Sequence, residues 1–305
     1  MIVLLAAGCT GFDGNQNASV DITNIISTES QITLIPNPPL QTETDFTLTF
    51  QIKNNAKDKN IKVETSVFDW GVCDKPEIVG TTKTDKTKNE FTLVPLQTEF
   101  IEISSKTPSR EKIGNLKAQC PVQWRITYDF SSSSRAGFNI LSKEKLTQLQ
   151  RAGKPIELPA AQKSVGAGPI KINFDFKTDK NYATSNSPIQ MTFSARDEGQ
   201  GTFSKIEAGK FLLKLPKEWV DSLGASEKNT ACTDTFEPKG GDSASEFYVN
   251  KKEIPLIQRS TPEIVCNLKA PDLDALKIPN KQYSVSAGLD YTYSIDGSYS
   301  VDINP

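Results

Sequence analysis

Residues 122–130 read Val-Gln-Trp-Arg-Ile-Thr-Tyr-Asp-Phe, and this stretch decides the fold class. Apolar and polar side chains alternate at every position, which is the pattern of a strand that lays one face on a core and the other in water. The same alternation runs through residues 46–53, 189–195 and 283–295. The sequence therefore predicts an all-β protein.

The alternating stretches fall into two halves of similar layout. We expect two tandem immunoglobulin-like β-sandwich domains, at residues 26–151 and 169–305. The linker between them is placed at residues 152–168, which are rich in Ala, Gly, Lys and Pro and show no periodic pattern. Each half is expected to close with a strong strand and a hairpin return, with residues 137–140 and 298–303 as the returning strands.

Turn and helix signals complete the prediction. The dipeptide Asp296-Gly297 is typical of a hairpin turn. Residues 142–151 predict a short helix with Ser142 as its N-cap. Residues 216–224 predict another, with proline as the first helical residue and glycine just past the end.

The cysteines indicate the compartment. Four of the five, Cys73, Cys120, Cys232 and Cys266, form no C-x-x-C pair, which disfavours zinc or thioredoxin-like chemistry. Four cysteines allow three pairings. If each half holds its own pair, Cys73 joins Cys120 and Cys232 joins Cys266, with a contribution of roughly 4 kcal/mol from each bridge in the loop-entropy model. Disulfides favour an oxidising exterior, whereas four buried free thiols would favour the cytosol.

The amino terminus resembles the end of an export signal. Residues 1–9 read Met-Ile-Val-Leu-Leu-Ala-Ala-Gly-Cys, similar to the lipobox of prokaryotic lipoproteins, in which the cysteine is lipidated. The positive n-region is missing, as a late start codon or a truncated sequence would explain. The alternative is a buried N-terminal strand. We expect lipidation of Cys9 and a flexible tether over residues 10–25.

Composition excludes several classes of function. The chain has 35 Lys and Arg against 37 Asp and Glu, a formal charge of −2, which argues against a nucleic-acid partner. Histidine is absent, so Ser-His-Asp and Cys-His catalysis and histidine metal sites are excluded. We expect no enzyme activity, no cofactor and no metal.

Few residues are candidates for chemistry. The S-x-x-K motif at Ser142 lacks its companion motifs and is better explained as a helix cap. Trp124 is expected in the core, and Trp70 is expected to pack on a disulfide. Trp219, on its short helix, is the one tryptophan expected to offer an exposed platform for a sugar ligand.

Residues 46–55, Phe-Thr-Leu-Thr-Phe-Gln-Ile-Lys-Asn-Asn, are followed by a strand-like stretch at residues 62–67. Residues 190–199 play the same part in the second half. This arrangement resembles the immunoglobulin-like modules of archaeal and bacterial cell-surface lipoproteins, nearest to the CARDB-like adhesion module. The resemblance covers about 40 residues of each half and implies spacer, adhesion or display functions.

The sequence thus predicts a lipid-anchored protein on the extracellular face of the cell membrane, with a structural or adhesive role. Its expected partners are the membrane, through the lipid, and a surface protein or glycan. One alternative is an extracellular carbohydrate- or substrate-binding lipoprotein. A further alternative is a subunit of a surface filament that pairs its sheets with a neighbour's strand.

Overall fold

The computed structural model describes residues 23–28, 32–82, 84–178, 180–223, 232 and 235–305. Its strands are β1 (Ile26–Thr28), β2 (Thr33–Ile35), β3 (Leu40–Gln41), β4 (Asp45–Asn54), β5 (Ile61–Asp69), β6 (Glu77–Ile78), β7 (Lys88–Leu93), β8 (Thr98–Lys106), β9 (Ala118–Leu141), β10 (Lys163–Val165), β11 (Ile170–Phe176), β12 (Tyr182–Thr184), β13 (Pro188–Asp197), β14 (Lys205–Ile206), β15 (Phe211–Pro216), β16 (Phe236–Gly241), β17 (Ser245–Asn250), β18 (Ile254–Pro255), β19 (Ile264–Lys269) and β20 (Asn280–Asn304). Its helices are α1 (Arg110–Ile113), α2 (Lys143–Arg151) and α3 (Lys217–Asp221).

The strands form an all-β fold of layered sheets. A central sheet runs in the order β16-β17-β15-β20-β9-β5-β7, with β10 and β12 added along β9 and β3 along β20. A second sheet contains β1, β4, β8 and β6, with β2 beside β4. A third has the order β11-β13-β19, and β14 pairs with β18.

Two long strands form the axis of the molecule. Strand β9 has 24 residues and β20 has 25, and they pair antiparallel from Ala118 opposite Ile303 to Leu141 opposite Asn280. We call this pair the ribbon. The predicted breaks in these strands are wrong: residues 131–136 and Asp296-Gly297 lie inside continuous strands instead of turning.

Both smaller sheets cover the same face of the ribbon. Every even-numbered residue of β9 from Cys120 to Ile140 is buried, so the alternation read from residues 122–130 extends over the whole strand. Phe50 of β4 stacks on Trp124 with ring centroids 4.6 Å apart, and Phe176 of β11 stacks on Phe138 at 4.4 Å. The ribbon therefore carries an N-terminal lobe under the β4 sheet and a C-terminal lobe under the β13 sheet.

The two tandem immunoglobulin-like domains are not confirmed, because the lobes share the central sheet. The end of the chain lies in the N-terminal lobe, where residues 295–303 pair with residues 126–118. The expected linker, residues 152–168, includes β10, which pairs with residues 134–136 of β9. Just before it, the carbonyl of Gln162 accepts a hydrogen bond from the Gly137 N–H at 2.7 Å.

Both predicted disulfides are present. Cys73 is bonded to Cys120, 47 residues away, and Cys232 to Cys266, 34 residues away. Each bridge joins residues of one lobe, and Cys120 and Cys266 are fully buried. Among the described residues, no helix is long and apolar enough to span a membrane.

The predicted helices are found with small changes. The Ser142 hydroxyl accepts a hydrogen bond from the Lys145 N–H at 3.0 Å, so Ser142 caps α2 as expected. Pro216 is the N-cap of α3 rather than its first residue, and Gly224 lies outside the described residues. The four-residue helix α1 was not predicted from the sequence.

Gly297 stands opposite Trp124 in the ribbon, and a Cβ atom there would lie 2.4 Å from Cε2 of the indole. Gly297→Ala is therefore expected to lower the free energy of unfolding by about 1–3 kcal/mol through overpacking. The matched control is Gly288→Ala on the same strand, where a Cβ would meet nothing within 4 Å. The control should be neutral or stabilising by about 0.5–1 kcal/mol, because glycine weakens a strand. Urea unfolding that gave both variants equal stability would contradict this packing.

Candidate functional site

The solvent-facing side of the ribbon, its outer face, carries two clefts in succession. The waist cleft, of about 870 Å³, lies where the lobes meet and is lined by ribbon residues from Arg125 to Ser131 and by residues 202–210. The far cleft, of about 820 Å³, lies over the C-terminal lobe and includes Arg135, Ser284 and Ser286. Between them the two ribbon strands carry the small pair Ser133 and Gly288, and the exposed Leu212 of β15 lies beside Gly288. We call the two clefts and the strip of the outer face between them the groove.

The waist cleft is lined by carboxylates that already have hydroxyl partners. Asp129 accepts a hydrogen bond from the Thr292 hydroxyl at 2.5 Å, and Asp290 accepts one from Ser131 at 2.5 Å. Each carboxylate has two oxygens with several acceptor positions, so both keep capacity for further donors. These oxygens can accept from the hydroxyl groups of a ligand, and the same lining also carries the cations Lys59, Arg125, Lys205 and Lys210.

Aromatic and cationic side chains border the same cleft. Phe203 is partly buried and tilts against Tyr291, with ring centroids 5.2 Å apart. The Lys59 ammonium lies 4.9 Å from the centroid of the Phe130 ring. These contacts give the waist cleft one partly exposed aromatic face beside its polar floor.

A buried carboxylate holds the loop that forms one wall of the waist cleft. Asp197, 4% exposed, accepts hydrogen bonds from the Tyr293 hydroxyl at 2.9 Å and from the Gly199 N–H at 3.0 Å. Its other oxygen lies 3.1 Å from the Arg259 guanidinium. The Tyr293 hydroxyl also accepts from the Gly201 N–H at 2.9 Å. Burial and the neighbouring carboxylate raise the pKa of Tyr293, so this hydroxyl stays a donor.

The hydrogen-bond network at Asp197 was not predicted from the sequence. The Asp-x-Gly spacing is the visible signal, since an aspartate that accepts from the N–H two residues on makes an Asx turn. Nothing local links residue 197 to Tyr293 or Arg259, which are distant in sequence. Their meeting depends on the pairing of the long strands.

The far cleft has its own hydrogen-bonded group. Glu218 lies 2.6 Å from the Lys281 ammonium and accepts a hydrogen bond from the Tyr283 hydroxyl. Burial acts to raise the pKa of the Glu218 carboxyl, but these two hydrogen bonds outweigh it and hold that pKa below its ordinary value. Burial and the contact with Glu218 raise the pKa of Tyr283.

The prediction of an exposed platform at Trp219 is wrong. Its side chain is fully buried, between Phe138 and Phe176 at 6.2 Å and against Tyr283 at 5.5 Å. Helix α3 is short, so most of its apolar surface is needed to cover the end of the C-terminal lobe. Trp124 is buried as predicted, and Trp70 is partly buried with its carbonyl accepting from the Cys73 N–H.

The remaining sequence candidates are structural or undescribed. Cys9 and the lipobox lie outside the described residues. Ser142 serves as a helix cap. Asp274 accepts hydrogen bonds from the N–H groups of Glu144 and Lys143 at the start of α2, and these lower its pKa. In the described part of the chain, no group of three or more Cys, Asp or Glu residues could hold a metal ion.

Tyr293→Phe removes the hydroxyl that satisfies Asp197 and Gly201. We expect it to lower the free energy of unfolding by about 1–3 kcal/mol, because a buried carboxylate loses a donor. Tyr299→Phe is the control on the same strand, since its hydroxyl has no partner among the described residues, and it should cost less than about 0.5 kcal/mol. Thermal or urea unfolding measures both. Equal effects would show that Asp197 does not depend on Tyr293.

No protein-family model matches the chain, and no curated protein matches it. Among solved structures, the transglutaminase of red sea bream matches with a TM-score of 0.20 and 8% sequence identity. The match covers 90% of this chain and 31% of the transglutaminase, so this chain spans about a third of that protein's length. At this TM-score the likeness carries no argument about fold or function.

Proposed function

We propose that this chain is a non-enzymatic structural or adhesive protein on the extracellular face of the cell membrane, held there by a lipid on Cys9. The two buried disulfides support a location outside the reducing cytoplasm. The lipobox-like residues 1–9 support the lipid anchor. A single acyl chain binds a membrane only marginally, so a lasting anchor requires more than one chain.

The ribbon is the observation that carries the structural role. Its strands pair over 24 residues without a break, so any hinge between the lobes would have to disrupt backbone hydrogen bonds of the central sheet. At about 3.4 Å per residue the ribbon is roughly 80 Å long. A body of this length without a hinge suits a protein that displays a surface at a fixed distance.

The described chain begins beside the waist, the region where the two lobes meet. The Asn24 side-chain oxygen accepts from the Gln200 N–H at 3.2 Å, and its carbonyl accepts from the Asn55 side chain at 3.0 Å. A lipid on Cys9 would therefore hold the body near its middle. The 14 residue-to-residue steps from Cys9 to Thr23 would reach about 50 Å at full extension.

The two alternative functions predicted from the sequence, carbohydrate binding and filament formation, have unequal support. A carbohydrate-binding role loses Trp219 as its platform, and the groove takes its place as the candidate surface. A filament role needs an open sheet edge. Residues 236–241 form one edge of the central sheet, but Pro238 and an irregularity before Gly240 blunt it.

Protein extracted from the membranes of its own source should begin at a lipid-modified Cys9 and lack four hydrogens, two for each disulfide. Intact mass spectrometry measures both features at once. A mature chain that keeps Met1 without lipid, or that carries free thiols at the four buried cysteines, would contradict the proposed location.

The distance between the lobes should be fixed. Spin labels on unnatural side chains at Lys112 in α1 and Gln150 in α2 are expected to give one narrow distance distribution by pulsed electron resonance. The control pair is Lys88 and Lys112, both in the N-terminal lobe. A distance distribution much broader than that of the control pair, or one with two maxima, would contradict the proposed role as a fixed spacer.

A further inference from the structure

The far cleft contains two cations that flank a serine. In the central sheet Lys214 of β15 pairs with Ser286 of β20, and Ser286 pairs with Arg135 of β9. Neighbouring strands lie about 4.8 Å apart, so the two cationic residues start about 10 Å apart on the same face. Both side chains are long enough to meet over Ser286. Lys214 now lies against Asp242, so it would have to turn toward Ser286 to share one anionic group with Arg135.

Both cationic side chains keep hydrogen-bond donors that are not used within the protein. The Arg135 Nε donates to the Ser284 hydroxyl, and its terminal amino groups have no protein acceptor in the described part of the chain. The Lys214 ammonium lies 3.1 Å from Asp242 and 5.1 Å from the centroid of the Phe247 ring. An ammonium has three donors, so one carboxylate leaves two available.

The charge of the far cleft differs from that of the whole chain. Its lining includes four cations, Arg135, Lys214, Lys217 and Lys281, against the carboxylates Glu218 and Asp221 and the adjoining Asp242 that pairs with Lys214. Glu218 is already held by Lys281 and Tyr283. The formal charge of the chain is −2. A locally positive cleft on an acidic protein attracts anions selectively to that place.

The groove continues toward the waist, where carboxylates and cations are mixed. From Arg135 back to Arg125 the outer face extends ten residues, or about 34 Å. Ser133 and Gly288 keep the floor low, with open space beside the Gly288 Cα. Beyond them Asp129 and Asp290 present carboxylate oxygens. The waist cleft also carries Lys59, Arg125, Lys205 and Lys210, so an extended ligand in the groove would meet cations in both clefts and carboxylate acceptors mainly at the waist.

We propose that the groove binds an acidic polysaccharide, with a carboxylate or sulfate group of the chain held between Arg135 and Lys214 over Ser286. Arginine suits this role because its planar group binds two oxygens of such an anion together. A nucleic acid fits less well, because its phosphodiester oxygens offer no hydrogen-bond donor to Asp129 and Asp290. Sugar hydroxyls, in contrast, donate to these carboxylates. The inference deepens the proposed adhesive role and depends on it only for the location.

The test measures binding of oligogalacturonate and of dextran sulfate to the whole protein by calorimetry, with neutral dextran as the reference. We expect binding of one or both acidic polymers. The double variant Arg135→Gln/Lys214→Gln should weaken it about ten-fold or more, as expected for the loss of charged hydrogen-bond donors. Lys88→Gln/Lys112→Gln, which removes the same charge from the N-terminal lobe, should leave it unchanged. Preference for one polymer identifies the anionic group.

Ser286→Glu provides a second variant that leaves both cations in place. Its carboxylate would occupy the position of the bound anion, so binding should be lost while the unfolding temperature stays close to that of the parent. Binding that is equal in all variants, absent from the parent protein, or matched by a single-stranded DNA oligonucleotide would overturn the proposal. None of these results bears on the lipid at Cys9 or the distance between the lobes, so the two proposals fail separately.

Discussion

The structure depends on one interaction, the antiparallel pairing of β9 with β20. These strands are far apart in sequence, and each passes through both lobes. One face of the pair is buried along its whole length, since alternate residues of both strands face the covering sheets. Without this pairing, the N-terminal lobe would lose the last strand of the chain and the C-terminal lobe would lose β9.

Small residues let the ribbon pass continuously beneath the rest of the chain. Gly297 leaves room for the Trp124 ring, and Gly168 lies where a Cβ would be 2.7 Å from the Tyr291 hydroxyl. The serine run 131–134 lies at the waist, where the Ser132 hydroxyl is 2.8 Å from the Tyr291 hydroxyl. These serine side chains are short enough for residues 166–168, just after β10, to approach the ribbon. Their hydroxyls also hydrogen-bond to buried polar groups.

Much of the fold could be predicted from local pattern. Alternation correctly identified the strands and the buried face, because the burial of every second side chain is a property of each strand alone. The disulfide pairing followed from the assumption that each half folds around its own cysteines, and each bridge indeed lies within one lobe. Ser142 was identified as a cap because capping depends on residues only three positions apart.

The errors have a common physical cause. Asp296-Gly297 and the serine run are local turn signals, but strand pairing with distant residues overrides them. Trp219 was expected on the surface because a short edge helix usually has an exposed side, whereas its burial depends on Phe138 and Phe176. The groove was also invisible in the sequence, since Arg135 and Lys214 become neighbours only through the register of three strands.

The most direct test of the ribbon is to cut the chain between its two strands. A protease site inserted after Gly153, in the exposed segment that follows α2, separates a fragment with β9 from one with β20, and no disulfide joins the two. We predict that the nicked protein elutes in size-exclusion chromatography at the mass of the intact chain and separates only on unfolding. Two folded fragments that separate under native conditions would contradict the shared ribbon.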